Sequence, residues 1–336
     1  MRLLKWLSLG AAIWIVYWGV AAWGLRSGFE AWFSEQQRQG WHVAYGPMTT
    51  SGFPMRHVTH LEQPQLADPG TGVAWSADWI EFDSPALWPG AQSLRFAPSP
   101  QRFSLFDQTR SLVAENMQAE LQLAPGLALE LEQLSLTSQA WQISDSSGAL
   151  WQAQGLSLEM RQLAQPEHYQ LSANAQGVSP SGLLRVGFGG LNLLKDDLSP
   201  QFSTLQIAAE LTFDTPWDRR AIELRRPQPR KISLDLAEAQ WGDMLFRSAG
   251  ELVVDDLGRI SGELTLRVEN WRGILDLAER LSLLPPSTRT GVEKILALFS
   301  TGTGAEEKID TTLRFQRGQI WAGPLPIGTA PRLVLR

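Results

Sequence analysis

The chain has 336 residues, enough to bury a substantial core in one large or two medium domains, and its formal charge is -6. Leaving out Arg2 and Lys5 of the first 25 residues takes the 29 basic residues to 27 against 35 acidic ones; this argues against nucleic acid, whose binders need a basic face. With no cysteine, the sequence excludes zinc–thiolate sites, iron–sulfur clusters, disulfides and thiol catalysis, and four histidines leave little for metal chemistry.

The first predicted element is the opening helix. No charged residue lies between Lys5 and Arg26. A run of about 20 residues spans roughly 30 Å as a helix, the hydrocarbon thickness of a bilayer. A helix also satisfies its own backbone in lipid. Trp6 and Trp23 fall near the ends of the run, where indole rings favour the headgroup layer, and Trp14 and Trp18 lie between them. Arg2 and Lys5 precede the run, so the short N-terminus is expected in the cytoplasm. The expected location is therefore the inner membrane, crossed once, with the body in the periplasm and inner-membrane lipids as partners. A cleaved signal peptide is the alternative, with Ala21-Ala22 at the cut. Against it, the apolar run exceeds the usual ~7–15 residues, and Trp14, Tyr17, Trp18 and Trp23 crowd the cut region. Either reading exports the body.

Residues 1–25 thus read as the anchor and 26–40 as an amphipathic stem. Leu25, Phe29, Trp32, Phe33 and Gln36 keep helical spacing to about Arg38, and Gly40 ends the helix. Glu30 and Glu35 would bring acid towards an anionic lipid surface, so the stripe is expected to pack on the body instead.

From Trp41 to the end, short alternating runs separated by turn residues predict a β-rich body, with 41–175 and 176–336 as two candidate lobes. Trp41–Tyr45, Met55–Leu61 and Val73–Phe82 come first, the last with a slip in its alternation. Leu94–Phe96 and Arg102–Leu105 follow between prolines. Met117–Leu123 alternates, and Leu127, Leu129 and Leu131 extend the pattern before it resumes at Leu134. Leu150–Gln154 and Leu156–Met160 continue it. In the second half Leu205–Phe213, Ile232–Leu236, a hairpin turning at Asp255–Gly258, and a last hairpin at Arg317-Gly318 repeat the style. One apolar and one wet face per strand is the signature of antiparallel sheets. Two helices are expected, Gly273–Leu284 with Asn270 as N-cap and Pro285-Pro286 as stop, and a second through Val292–Phe299 ending near Gly302. Leu183–Leu194, apolar and rich in glycine, takes no assignment. The predicted fold is mainly β: an N-terminal transmembrane helix and stem, then a large, antiparallel, curled sheet forming a groove, open barrel or sandwich.

Three short signatures carry a resemblance. They are Gly52-Phe53-Pro54, Asn270-Trp271 opening a helix after a strand, and Gly323-Pro324-Leu325-Pro326-Ile327-Gly328. With the anchor, they resemble an uncharacterised bacterial envelope family, a domain of unknown function, and more distantly the AsmA-like proteins of the Gram-negative envelope. The AsmA resemblance implies an inner-membrane anchor, a periplasmic body and a β-sheet curled around an apolar groove associated with lipid transport. The chain is too short to bridge the periplasm alone, and no catalytic residue is carried over.

No His-Glu-x-x-His, Walker loop or Gly-x-Ser-x-Gly elbow occurs. His57 and His60, three apart on a strand, would face opposite sides, which is wrong for one metal. No cofactor and no enzymatic activity are expected. A dozen or so strands each offer an apolar face, with about three helices to cover them. The faces then either close on one another or leave a cavity. Leu121, Leu123, Leu129, Leu131, Leu156, Leu158 and Leu234 are the candidate wall of either. Leucine outnumbers β-branched residues there, which suits a smooth lining for an amphiphile better than tight strand packing. The expected role is binding or handling lipid or another amphiphile, contributing to envelope homeostasis. A sealed scaffold that binds an envelope protein, and an envelope hydrolase, stand as alternatives.

Overall fold

The computed structural model describes residues 2–88, 90–106, 108–146, 148–179, 201–280, 286–297, 299–301 and 308–335. The protein is mainly β, with one long apolar helix at its N-terminus and few others. Helix α1 (Arg2–Arg38) is continuous through anchor and stem. It ends as the sequence predicts: Gly40 takes φ +94°, and the Trp41 N–H reaches the Gln36 carbonyl at 3.0 Å.

Among the described residues, twenty-three strands follow in chain order. The first ten are β1 (His42–Ala44), β2 (Met48–Ser51), β3 (Arg56–Glu62), β4 (Gln65–Asp68), β5 (Val73–Ser76), β6 (Trp79–Pro85), β7 (Ala91–Phe96), β8 (Gln101–Leu105), β9 (Gln108–Ala114) and β10 (Gln118–Leu123). Next come β11 (Leu131–Ser138), β12 (Trp141–Asp145), β13 (Gly148–Ala153), β14 (Gly155–Gln162), β15 (His168–Val178), β16 (Phe202–Phe213), β17 (Pro229–Trp241), β18 (Met244–Val254) and β19 (Ile260–Glu269). Helices α2 (Trp271–Arg280) and α3 (Pro286–Ala297) precede β20 (Ser300–Thr301), β21 (Lys308–Gln316), β22 (Gln319–Ala322) and β23 (Leu325–Thr329).

The chain divides into two compact units, Met1–Leu123 with Leu136–Ser147, and Ala124–Ser135 with Gly148–Arg336. In the first unit, β1-β4-β5-β8-β9-β12 form one antiparallel sheet and β2-β3-β6-β7-β10 belong to another. Phe33, Met48, Leu61 and Ile80 are its buried centre. Val43, Leu66 and Trp75 of the first sheet, and Phe82, Leu94 and Phe96 of the second, pack around it with Phe29 and Trp32 of α1. The stem therefore packs on the body, as expected.

The second unit carries the longest strands in an antiparallel run β14-β15-β16-β17-β18-β19-β21-β22-β23. Both predicted hairpins form. Gly258 (φ +74°) closes the β18–β19 turn, and Arg317 and Gly318 (φ +53° and +76°) close β21–β22. Asn270 accepts from the Gly273 N–H at 3.3 Å, which caps α2 as predicted.

Three expectations are corrected. Val73–Phe82 is not one strand: β5 and β6 lie in different sheets, and Ala77-Asp78 carries the chain between them. Leu127–Glu130 is not strand. Pro125-Gly126 breaks the run, Leu129 adopts φ +51°, and the segment bonds elsewhere, with the Arg219 N–H on the Ala128 carbonyl and the Leu131 N–H on that of Trp217. The Gly323–Gly328 tail contributes an edge strand, β23, where Pro326 costs no ladder bond on the open side. The predicted end of α2 near Pro285 and the unassigned Leu183–Leu194 lie outside the described residues.

Candidate functional site

The strand register of the second unit sorts its side chains onto two faces. Every second position is apolar, and the partners line up as rows across the sheet. One row is Leu156, Ala175, Leu205, Ala239, Phe246, Val268 and Ile309. The next is Leu158, Ala173, Ile207, Ala237, Ser248, Leu266 and Thr311. A third is Met160, Leu171, Ala209, Leu234, Gly250, Leu264 and Leu313. The opposite face is polar and laced with cross-strand ion pairs: Arg247–Glu238 at 2.6 Å, Lys231–Glu251 at 3.0 Å, Arg267–Asp310 at 2.7 Å and Arg314–Glu263 at 2.8 Å. The Arg267 guanidinium holds the Asp310 carboxyl below its ordinary value.

Cover on the apolar face is uneven. At one edge Trp271, Leu275, Val292, Leu296 and Phe299, from α2, α3 and the residues after them, bury Ile309 and flank Val268. At the other, Ala330 and Leu333 of the C-terminal segment pack on Leu252, Ile260 and Phe315. Gly250 and Gly262 sit in this region with φ +147° and +137°. A Cβ there would come within 2.3 Å and 2.2 Å of the Glu263 and Glu251 carbonyl oxygens, so only glycine fits. A third apolar cluster sets Phe213 edge-on to both Tyr169 and Trp217. Burial pushes the Tyr169 hydroxyl pKa up, although it accepts the Trp217 N–H at 3.1 Å. Between these covered zones the middle row is partly open. Ile207 is 44% exposed, Phe246 in the adjacent row is 38% exposed, Leu158, Ala173, Ala237, Leu266 and Thr311 are half-buried, and Ser248 is buried. A hollow of about 640 Å³ lies against Arg247, Thr265, Arg267, Asp310 and Thr312, mostly residues of the opposite, polar face, and is not part of this row. Ala173, Ala237 and Ser248 are small, and so are Ala175, Ala239 and Gly250 in the rows beside them, so the row is a shallow strip or furrow. Its seven strands, about 4.8 Å apart, give it a length of about 29 Å.

Of the seven predicted wall residues, the register brings Leu156, Leu158 and Leu234 onto this one face. Leu131 is buried in the same unit, beside Trp217, and Leu129 sits half-buried on the connection before it. Leu121 and Leu123 lie half-buried on β10 in the first unit. Sequence reasoning missed Ile207, Leu266 and the small residues between them. The signal was present: alternation in β16, β17 and β19 marks the face, but pairing partners far apart in sequence decide the rows.

A second arrangement joins α1 to the first unit's body. Its contacts begin not at Leu25 but at Trp14. The Trp14 indole N–H donates to the Pro54 carbonyl (3.1 Å), the Tyr17 hydroxyl to Ala86 (2.9 Å), and the Trp18 indole N–H to Arg56 (2.9 Å). The buried His57 ring stacks on Trp18 with centroids 5.0 Å apart, and Phe53 meets the same indole edge-on. The two loops are tied together, Ala86 N–H to Met55 carbonyl at 2.8 Å. The signature Gly52-Phe53-Pro54 lies here. Gly52 takes φ +95°, where a Cβ would stand 2.9 Å from the Arg56 carbonyl oxygen, and the Phe53–Pro54 peptide is cis. Of the four predicted anchor tryptophans, Trp6 and Trp23 are exposed, whereas Trp14 and Trp18 dock these loops.

Chemistry beyond burial is sparse. His57 and His60 do point to opposite sides of β3: His57 is buried against Trp18, while His60 is half-buried with Nδ1 at 3.8 Å from Glu81. Among the described residues no group of three or more His, Asp or Glu is placed to hold a metal. A hollow of about 810 Å³ in the first unit lies against Trp41, His42, Trp75 and Arg102 without converging acids.

The structure thus defines a class: a mainly antiparallel β protein with an apolar N-terminal helix docked on its first sheets. The chain belongs to the family described as "Uncharacterized protein conserved in bacteria (DUF2125)", whose model matches residues 18–331. No curated protein and no solved structure matches it. The likeness to AsmA-like proteins therefore remains a resemblance of sequence.

Proposed function

We propose that this protein is anchored in the inner membrane by α1, carries its body on the periplasmic side, and binds an acyl chain or similar amphiphile along the furrow of its second unit. The observation that carries this reading is the partly open middle row, an apolar strip about 29 Å long flanked by covered zones. One leaflet of a bilayer is about 15 Å of hydrocarbon, so the strip has room for a whole lipid tail. Each Å² of chain removed from water contributes about 25 cal/mol, and no other group need be supplied. The binding is non-enzymatic and needs no cofactor, and its role belongs to envelope homeostasis. Leu, Ala and Ile along the row present a smooth wall, whereas a protein-binding surface favours aromatic and arginine anchors.

A photoreactive residue at Ile207 tests this. Irradiation in cells should yield adducts with the mass of a lipid at Ile207 and none at Gln206, which lies on the opposite face. Polypeptide adducts at Ile207 without lipid would instead mark the scaffold alternative and end the lipid reading.

A further inference from the structure

The anchor helix cannot span a bilayer with the body wholly outside it. Contacts between α1 and the body start at Trp14. The helix below that point, Arg2–Ile13, is about 18 Å long, against about 30 Å of hydrocarbon. If α1 crosses the membrane, Trp14 to Trp18 lie within it, and so do the two loops bonded to them. We infer that the Gly52–Met55 and Ala86–Trp88 loops are immersed in the periplasmic leaflet, so that lipid is the partner of this end of the first unit. The inference rests on the membrane anchoring proposed above.

Two independent features fit immersion. The loop tips are apolar and exposed: Phe53 52%, Met55 69%, Leu87 74% and Trp88 38%. No charge occurs from Ser51 to Met55 or from Ser84 to Trp88, and the flanking Arg56–Asp83 pair at 2.6 Å starts the charged surface. Non-helical backbone at membrane depth must also have its polar groups satisfied. Here the carbonyls of Pro54, Arg56 and Ala86 accept from Trp14, Trp18 and Tyr17, and that of Met55 accepts from Ala86. Pro54 has no N–H to satisfy. On a water-facing surface, solvent would serve these carbonyls and three aromatic donors would be superfluous. Measured down from Arg26, Trp18 lies about 12 Å along the axis, within a leaflet of about 15 Å, and Trp14 about 18 Å, close to the bilayer midplane.

The chain lacks cysteine, so single labels are clean. Phe53→Cys, Leu87→Cys, Leu9→Cys and Gln39→Cys, each carrying an environment-sensitive fluorophore, are reconstituted full-length in phosphatidylethanolamine–phosphatidylglycerol vesicles. The expected result is loss of emission to acyl-chain nitroxide lipids at 9, 53 and 87, with loss to aqueous iodide only at 39. Lipid quenching at 9 with iodide quenching at 53 and 87 overturns immersion and leaves the anchor standing. Iodide quenching at 9 removes the anchor and the inference with it. Leu87 makes no hydrogen bond through its side chain, so that arm reads out even where the loss of the Phe53 ring perturbs its loop.

Discussion

The two units solve the same covering problem differently. In the first, the stem of α1 supplies aromatic bulk between strands of both sheets, and Leu61 and Phe33 are left only 2% and 5% exposed. In the second, among the described residues, α2, α3 and the C-terminal segment cover two edges of a broad apolar face, and Ile207 and Phe246 between them stay 44% and 38% exposed. The lesson is that strand number sets how much apolar area a sheet displays, while helices and tails set how much is hidden. A unit short of cover leaves part of a face exposed.

The largest test of this contrast is a pair of truncations. Leu61→Ala should cost about 2–5 kcal/mol in urea unfolding, because a sealed site keeps the cavity. Leu266→Ala, on the half-buried row, should cost less than about 1.5 kcal/mol, since less area leaves water there. Equal costs would mean that the furrow is as tightly packed as the first core. Of intermediate size, Gly262→Ala should destabilise the second unit by about 1–3 kcal/mol through backbone strain, with the first unit unaffected. The smallest effect concerns acid. Asp218, 9% exposed, accepts from the Arg220 backbone N–H and guanidinium, and this pairing holds its carboxyl below the ordinary value. A depressed carboxylate stabilises the fold above its unfolded-state pKa, and that contribution is lost as pH falls through the folded one. The urea midpoint of the second unit should fall between pH 6 and pH 3, and Asp218→Asn should flatten the drop.

Much of this fold was legible. The alternation in Leu205–Phe213 and Ile309–Phe315, the turns at Gly258 and Gly318, and the Asn270 cap all form where local chemistry places them. Leu127–Leu131 misled because alternation alone cannot see that Pro125-Gly126 and the bonds to Trp217 and Arg219 take the backbone out of any ladder. The furrow was half legible. Leu156, Leu158 and Leu234 mark its face, but the row that stays open depends on register between strands and on helices that cover only its borders. The docking of α1 left a fainter trace. Trp14, Trp18, Leu25, Phe29 and Trp32 do share a helical stripe, yet an indole N–H meeting a carbonyl about forty positions away imposes no period on the sequence.

That docking bears on the fate of the leader. A signal peptidase cutting beside Ala22 would carry off Trp14, Tyr17 and Trp18, stripping three carbonyls of their donors and His57 of the ring it lies against. The apolar helix that is a candidate membrane anchor or signal is thus also a structural part of the first unit, and its removal would disturb the strands and loops it holds.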